Sequence, residues 1–277
     1  MIEADEEAVL KNLKNMKALF IFRGNDLALK ENDSLPESNE FYDYYMELKN
    51  KDQIKDLFYE KEYSYAVMHI KENADFKSNW KKSTVREFFW ISKTEEEKKS
   101  ACPSEKGSLC ARAHGISCFH LKYKFCPSCS APLKDDKKFT AKLCLSCSNL
   151  FFPRIEPAII VLVKKGDEIL LEQNIKDRTS LWTCVAGFVE TGETLENAVA
   201  REVKEETGIE IKNIQYKGSQ SWPFPDQLMV AFSAEYKSGK IKIQEEEIRE
   251  ARWFKKDSLP EIPKAGSVAF NLITGKL

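Results

Sequence analysis

The chain of 277 residues has no long apolar run, no excess of either charge and no basic leader. A membrane-spanning helix needs about 20 consecutive apolar residues. The longest runs here, Ala18 to Phe22 and Pro157 to Val163, fall far short, so no membrane association is expected. Lys and Arg number 43 against 44 Asp and Glu, a net charge of −1. That balance argues against a protein that coats polyanions, while leaving room for a local basic groove. The N-terminus carries Glu3, Asp5, Glu6 and Glu7, the wrong sign for a signal or transit peptide, and a cytoplasmic protein is expected. There is no internal repeat and no low-complexity tract. Apolar residues at 42% and charged residues at 31% suffice for a buried core.

The eight cysteines are unevenly spread. Cys102, Cys110, Cys118 and Cys184 are scattered and read as ordinary thiols. Cys126, Cys129, Cys144 and Cys147 form C-x2-C, fourteen residues, C-x2-C. A reducing cytosol disfavours structural disulfides. Two such knuckles bring four thiolates to one tetrahedral point, which suits structural zinc, one ion per chain. Free or redox-active thiols are the alternative. The polar stretch Ser130 to Leu143 between the knuckles suits a short hairpin.

Three regions follow from the pattern: an N-terminal mixed α+β domain over 1–120, a zinc ribbon over 121–152 and a third domain over 153–277. In the first, Ala18–Phe22 and Tyr65–Ile70 read as strands and Glu40–Asp56 as a helix. A capping box at Thr94–Glu97 opens another helix, which Pro103 and Gly107 interrupt. In the third, Ala158–Val163 is a buried strand, Gly166-Asp167 a turn and Ile169–Leu171 the hairpin partner. Helix and strand then alternate to the C-terminus.

The chemically informative stretch runs from Gly187 to Ile209. Gly187 and Gly192 permit a tight loop, Thr194 can cap a helix, and Gly208 can end it. Within that helix Glu202 and Glu206 share one face, with Glu205 beside them. Like charges so placed repel unless a cation neutralises them, and clustered carboxylates suit Mg²⁺. A solvated acidic face is the alternative.

The full spacing, G-x5-E-x7-R-E-U-x-E-E-x-G-U with U aliphatic, resembles the box of the Nudix hydrolase superfamily, whose members cleave nucleoside diphosphates linked to another group. The resemblance implies a Nudix α/β/α sandwich. It implies that Glu202, Glu205 and Glu206 serve Mg²⁺ or Mn²⁺, and that Arg201 pairs with Glu193 to brace the loop. Ten residues on, Ser219-Gln220-Ser221-Trp222-Pro223-Phe224-Pro225 is a proline-stiffened extended loop whose rings can stack on a base or simply pack. It resembles the SQPWPFP array of the NADH pyrophosphatase subgroup, with Ser221 in place of a proline. A ribbon just before the Nudix domain is a further subgroup feature.

By that resemblance Gln220, Ser221, Trp222, Pro223, Phe224, Pro225, Asp226, Gln227, Phe188 and Ala269 contact substrate. The Ala186 carbonyl and Glu247 join Glu202 and Glu206 on the metal, with Glu250 as the competitor for the extra glutamate. Phe152 replaces a tyrosine that reaches a partner subunit's site, which implies a homodimer. Phe139 stands where the subgroup can present a carboxylate. The implied reaction is hydrolysis of NADH or NAD to NMN(H) and AMP, with removal of NAD caps from RNA as an extension. Lys122, Lys124, Lys137, Lys138 and Lys142 offer a local basic patch for RNA. A Nudix hydrolase of another nucleoside diphosphate such as ADP-ribose, or a non-catalytic nucleotide- or RNA-binding protein, are the rivals. NAD is a substrate in this reading, so no Rossmann fingerprint is required, and none is present.

Overall fold

The computed structural model describes residues 2–3, 5–91, 104–175, 179–224 and 226–277. These form two compact units, divided between residues 154 and 155. The capping box at Thr94 and Cys102 lie outside the described residues.

The first unit is built on a six-stranded sheet. Its strands are β1 (Ile2–Glu3), β2 (Ala18–Arg23), β3 (Asp26–Lys30), β4 (Ile54–Glu60), β5 (Tyr65–Ile70) and β6 (Trp80–Thr84), in the order β1-β4-β5-β2-β3-β6. Central β2 and β5 run parallel, and nearly every residue in them is buried. That follows from their unbroken apolar sequence, since such a strand needs cover on both faces. Helices α1 (Glu6–Asn12) and α2 (Ser38–Asn50) cover one face, with Val9, Phe41, Tyr44, Tyr45 and Leu48 against Leu19, Ile21 and Met68. On the other face lie α3 (Val85–Ile91) and α4 (Glu105–Lys122), with Phe88 against Phe20 and His114 against Phe22.

Two expectations for this unit are corrected. The helix expected to Asp56 stops at Asn50, because Asp52 turns the chain at φ +51° and Ile54 joins β4 beside β5. Gly107 does not interrupt a helix. It lies in the first turn of α4, and its N–H donates to the cap Ser104 at 2.9 Å.

The ribbon belongs to this first unit. Its strands β7 (Leu133–Asp135), β8 (Lys142–Cys144) and β9 (Leu150–Phe151) form a small antiparallel sheet, including the expected hairpin. His120, near the end of α4, lies 3.2 Å from Asp56 of β4 and 3.6 Å from Asp135 of β7.

The second unit carries β10 (Glu156–Lys165), β11 (Glu168–Asn174), β12 (Val185–Phe188), α5 (Leu195–Thr207), β13 (Glu210–Trp222), β14 (Gln227–Ser238), β15 (Ile248–Lys255) and α6 (Val268–Ile273). The sheet order is β13-β14-β10-β11-β15, with β12 also on β10. Strand β10 pairs parallel with β14 and antiparallel with β12 and β11. Its alternate residues face opposite layers, as strand geometry requires. Ile159 and Val161 meet Ala198, Val199 and Val203 of α5. Ile160 and Leu162 meet Val268, Leu272 and Ile273 of α6. The result is the expected α/β/α sandwich. No described helix is long and apolar enough to cross a membrane.

Candidate metal centres and nucleotide site

In the ribbon, each knuckle is closed by the same backbone turn. Ser130 N–H donates to Cys126 O, and Ser148 N–H to Cys144 O, with both serines at φ +60°. The four sulfurs lie within 4.8 Å of one another. Three separations are 3.6 Å (Cys126–Cys147), 3.5 Å (Cys129–Cys144) and 3.7 Å (Cys129–Cys147). Four sulfurs each about 2.3 Å from one tetrahedral ion would sit about 3.8 Å apart, whereas a disulfide needs about 2.05 Å. Burial opposes ionisation of Cys126, yet the N–H groups of Ser128 and Cys129 and the neighbouring thiols hold it down at about 6. The set therefore fits a tetrahedral cation. Cys110 and Cys184 are fully buried free thiols, and burial pushes both above the ordinary thiol range.

In the second unit, α5 carries the acidic cluster. Thr194 caps it, accepting from the Asn197 N–H at 3.2 Å. Gly208 ends it at φ +72°, a left-handed conformation that glycine adopts without strain. Gly187 has a different task from the expected loop residue. It lies within β12, and a Cβ there would fall 2.0 Å from the Glu202 carboxyl carbon. Only glycine lets that carboxylate approach the strand.

Arg201 ties the loop to the helix. Its Nε and one terminal nitrogen grip Glu193 at 2.8 and 2.9 Å, and it donates to the Phe188 carbonyl at 2.9 Å. The other nitrogen reaches Glu202 at 2.9 Å and Glu205 at 3.0 Å. Hydrogen bonds from Arg201 hold the Glu193 carboxyl below the usual range. Burial raises Glu202 against the pull of Arg201. Glu205 is about half exposed. Glu206 is 3% exposed, and its Oε2 has no hydrogen-bond partner. Burial, against a hydrogen bond with Glu172 and with the charges of Glu202, Glu247 and Glu205 adding, pushes it up to about 7. Its neighbour is Glu172 of β11, also 3% exposed, with an unpartnered Oε2 of its own. Burial, together with the Glu206 charge, raises Glu172 well above the carboxylate range.

Glu172 and Glu206 share a side-chain hydrogen bond and each keep one oxygen without a donor, so a cation can take the place of their shared proton, and an all-oxygen donor set is what Mg²⁺ and Mn²⁺ bind. The residues fit a hard divalent ion. Among the described residues, however, the thiols are the one group of three or more drawn within 4.8 Å. The box carboxylates are not gathered that tightly, and Arg201 holds three of them, Glu193, Glu202 and Glu205.

Glu247 and Glu250 are separated by the fold. Glu247 precedes β15, and its charge is felt at Glu202 and Glu206. Glu250 sits in β15 opposite Gln173 and is ion-paired with Arg252. Ala186 lies in β12 opposite Ile160.

The aromatic array is not wholly a loop. Gln220, Ser221 and Trp222 end strand β13, which is the sheet edge, and the turn to β14 follows. An edge strand tolerates the prolines that a central strand would not. The Trp222 and Phe224 rings meet edge-on at 5.2 Å, Pro223 is buried, and Phe188 is 48% exposed. Pro225 lies outside the described residues. Asp226 accepts from the Glu156 N–H through its carbonyl, and Gln227 pairs with both Trp222 and Glu156. Gln220 does not offer its amide outward. It is 2% exposed, donates to Gly266 O at 3.0 Å and accepts from the Val268 N–H at 2.9 Å. It thus fixes the turn that places Ala269 in the first turn of α6.

Phe152 belongs to the first unit, is 55% exposed and lies 6.2 Å from the Phe139 ring. Lys142 is withdrawn from any basic patch, because it is buried and paired with Asp135 at 2.6 Å. Glu172 was missed in the sequence. Its signal is the run Ile169-Leu-Leu-Glu172, where period-2 alternation turns Glu172 to the same side as the core residue Leu170.

Residues 153–273 match the NUDIX domain family, and this part of the chain is a Nudix domain. Nudix hydrolases act with divalent metal ions. Among curated proteins, the "NAD-capped RNA hydrolase NudC" of Salmonella paratyphi B and that of Salmonella typhimurium are each 48% identical over 165 residues, covering 60% of this chain and 64% of the relative. The chain thus spans less than two thirds of the length of the curated relatives it matches. A solved Nudix hydrolase from Nitrosomonas europaea is similar at 25% identity with a TM-score of 0.42, over 55% of this chain and 87% of that one.

Proposed function

We propose that the protein hydrolyses the pyrophosphate bond of NADH or NAD, giving NMN(H) and AMP, and removes the same cap from NAD-capped RNA. The observation that carries this reading is the complete box folded as one unit. Arg201 locks Glu193 to the helix, while Glu206 is buried with an oxygen left unpaired. The similarity to proteins named NAD-capped RNA hydrolase, and the edge-strand aromatic array, support the substrate class.

In this reading Glu202, Glu206, Glu247 and the Ala186 carbonyl hold Mg²⁺ or Mn²⁺. When bound, the ion neutralises pyrophosphate oxygens and lowers the pKa of an attacking water. Arg201 keeps the helix start and the Phe188 backbone in one geometry. Glu205, exposed at the rim, adds negative charge there. Trp222, Phe224 and Phe188 supply flat faces for a base. Gln220 positions the backbone before Ala269 rather than binding substrate through its own amide, and Ser221, Pro223, Asp226 and Gln227 shape the slot. The cysteines hold one Zn²⁺, which ties the ribbon together.

The three-part division at 120 and 152, a cytoplasmic location and a homodimer are part of the same proposal. Exposed Phe152, Phe139, Leu145 and Leu150 support a second copy as the cover of the ribbon. Lys122, Lys124, Lys137 and Lys138 remain for RNA.

The test is product analysis after incubation with NADH, NAD, ADP-ribose and 5′-NAD-capped RNA, each with Mg²⁺ or Mn²⁺. NMNH plus AMP from NADH, and a 5′-monophosphate end from the RNA, are expected. Cleavage of ADP-ribose more than tenfold faster than of any NAD substrate would make the protein a different Nudix hydrolase.

A further inference from the structure

Strand β11 lies in the sheet that α5 packs against, with Leu170 in the same apolar cluster as Ala198, Val199 and Val203 of α5. Leu170 enters the apolar layer under that helix, and Glu172, two residues on, points the same way. Its strand neighbours are Thr183 and Ala251, neither of which carries charge. Its carboxyl is hydrogen-bonded to Glu206 of α5 and feels the charges of Glu206 and Glu202. Arg201, the guanidinium at this end of α5, is committed to Glu193, Glu202, Glu205 and the Phe188 carbonyl. Glu172 is 3% exposed and shares a side-chain hydrogen bond with Glu206, and the Oε2 atom of each carboxyl has no donor.

A carboxylate buried for structural reasons recruits hydrogen-bond donors or a cation from the protein. The chain does this elsewhere, at Glu60, which Arg112 and Tyr65 saturate. At Glu172 the partner is another acid, Glu206, and Oε2 has no donor among the described residues. We propose that Glu172 is a further cation-holding carboxylate, entering the divalent-ion site from the strand beneath the box helix. It adds an oxygen donor that the box spacing does not contain, and the ion replaces the proton that the two carboxyls share and reaches their Oε2 atoms. This inference rests on the reading of the α5 cluster as a metal centre.

The test is Mn²⁺ binding, followed by electron paramagnetic resonance of the free ion, with full-length protein and no substrate. Wild type, Glu172→Gln and Glu202→Gln are compared. Glu172→Gln is expected to raise the Kd for Mn²⁺ at least fivefold. Its melting temperature in chelator should be no lower than wild type, and the gain on adding Mn²⁺ should shrink. A Kd change below fivefold overturns the proposal, whatever the melting temperature does. Glu172→Ala, read the same way, decides the matter if the glutamine variant does not fold. If Glu202→Gln weakens Mn²⁺ binding and Glu172→Gln does not, only the role of Glu172 fails. If neither changes it, the metal-centre reading itself fails.

Discussion

Each unit buries carboxylates, and they are treated in opposite ways. In the first, Glu60 is fully buried, but two nitrogens of Arg112 grip it at 2.8 and 2.6 Å and the Tyr65 hydroxyl donates at 2.6 Å. In the second, Glu172 and Glu206 are almost as buried and face each other with an unpaired oxygen each. The first arrangement is complete in itself. The second shares a proton and, in the proposed function, is completed by a cation. Desolvating an ionised carboxylate costs several kcal/mol unless it is paired, and this pair avoids much of that cost by holding a proton that a bound cation would displace. The thiols of the ribbon lie between these cases. Sulfurs can gather at 3.5–3.7 Å because neighbouring thiols donate S–H to a thiolate such as Cys126, whereas two ionised carboxylates repel unless a proton or a cation joins them.

The sharpest way to break this comparison is to remove one charge from the incomplete site. Glu206→Gln should lower kcat about a hundred- to a thousandfold, on the order of 3–4 kcal/mol of barrier, with little change in melting temperature in chelator. A variant that keeps a tenth of wild-type turnover would remove Glu206 from the ion site. In the ribbon, purified protein should carry one zinc per chain. Cys126→Ser should lose it and melt more than about 5 °C lower, since the small ribbon has little core of its own. Metal analysis of intact protein showing no zinc would refute this.

The complete site should respond the other way. Glu60→Gln leaves the half-buried Arg112 without its counter-charge. About 2–3 kcal/mol of stability should be lost, with kcat unchanged, as measured by urea unfolding. Stability equal to wild type would abolish the contrast with Glu172. Trp222→Ala should lower kcat/KM for NADH about ten- to a hundredfold, from roughly 1–3 kcal/mol of lost stacking. ADP-ribose should suffer less if the ring holds the nicotinamide. No loss on either substrate would return the array to a packing role.

The smallest effect concerns acid. His69 is 2% exposed, accepts from the Gly24 N–H at 3.2 Å and, through its other nitrogen, bonds Ser117 at 2.8 Å. Burial, with Lys55 and His114 adding and Asp56 and Glu72 opposing, lowers its pKa from 6.5 to about 4. Between those values the unfolded chain binds a proton that the folded one refuses, so stability falls as pH falls. From pH 7 to 5.5 the loss from this group is about 1 kcal/mol. His69→Gln should show that much less pH dependence than wild type. Equal slopes would mean that the ring is protonated in the fold.

Local spacing was legible because it maps directly onto one element. Glu202 and Glu206 share a helix face by periodicity, the cysteine knuckles are single turns, and the pattern Ala158–Leu171 reads as a hairpin. Glu250 remained a rival to Glu247 because runs of glutamate look alike until one of them pairs with Arg252. Glu40–Asp56 read as one helix because the turn at Asp52 rests on a single backbone dihedral.

Sequence alone therefore determined the Nudix box, the thiol tetrad and the order of the parts, since each depends on neighbours within a few turns of chain. Tertiary structure decided which groups meet across distance. It laid Glu172 under Glu206, closed Gln220 onto the loop before α6 and withdrew Lys142 into an ion pair. These contacts depend on strand register and layer packing, and a shift of one residue in β11 would have turned Glu172 to the opposite face.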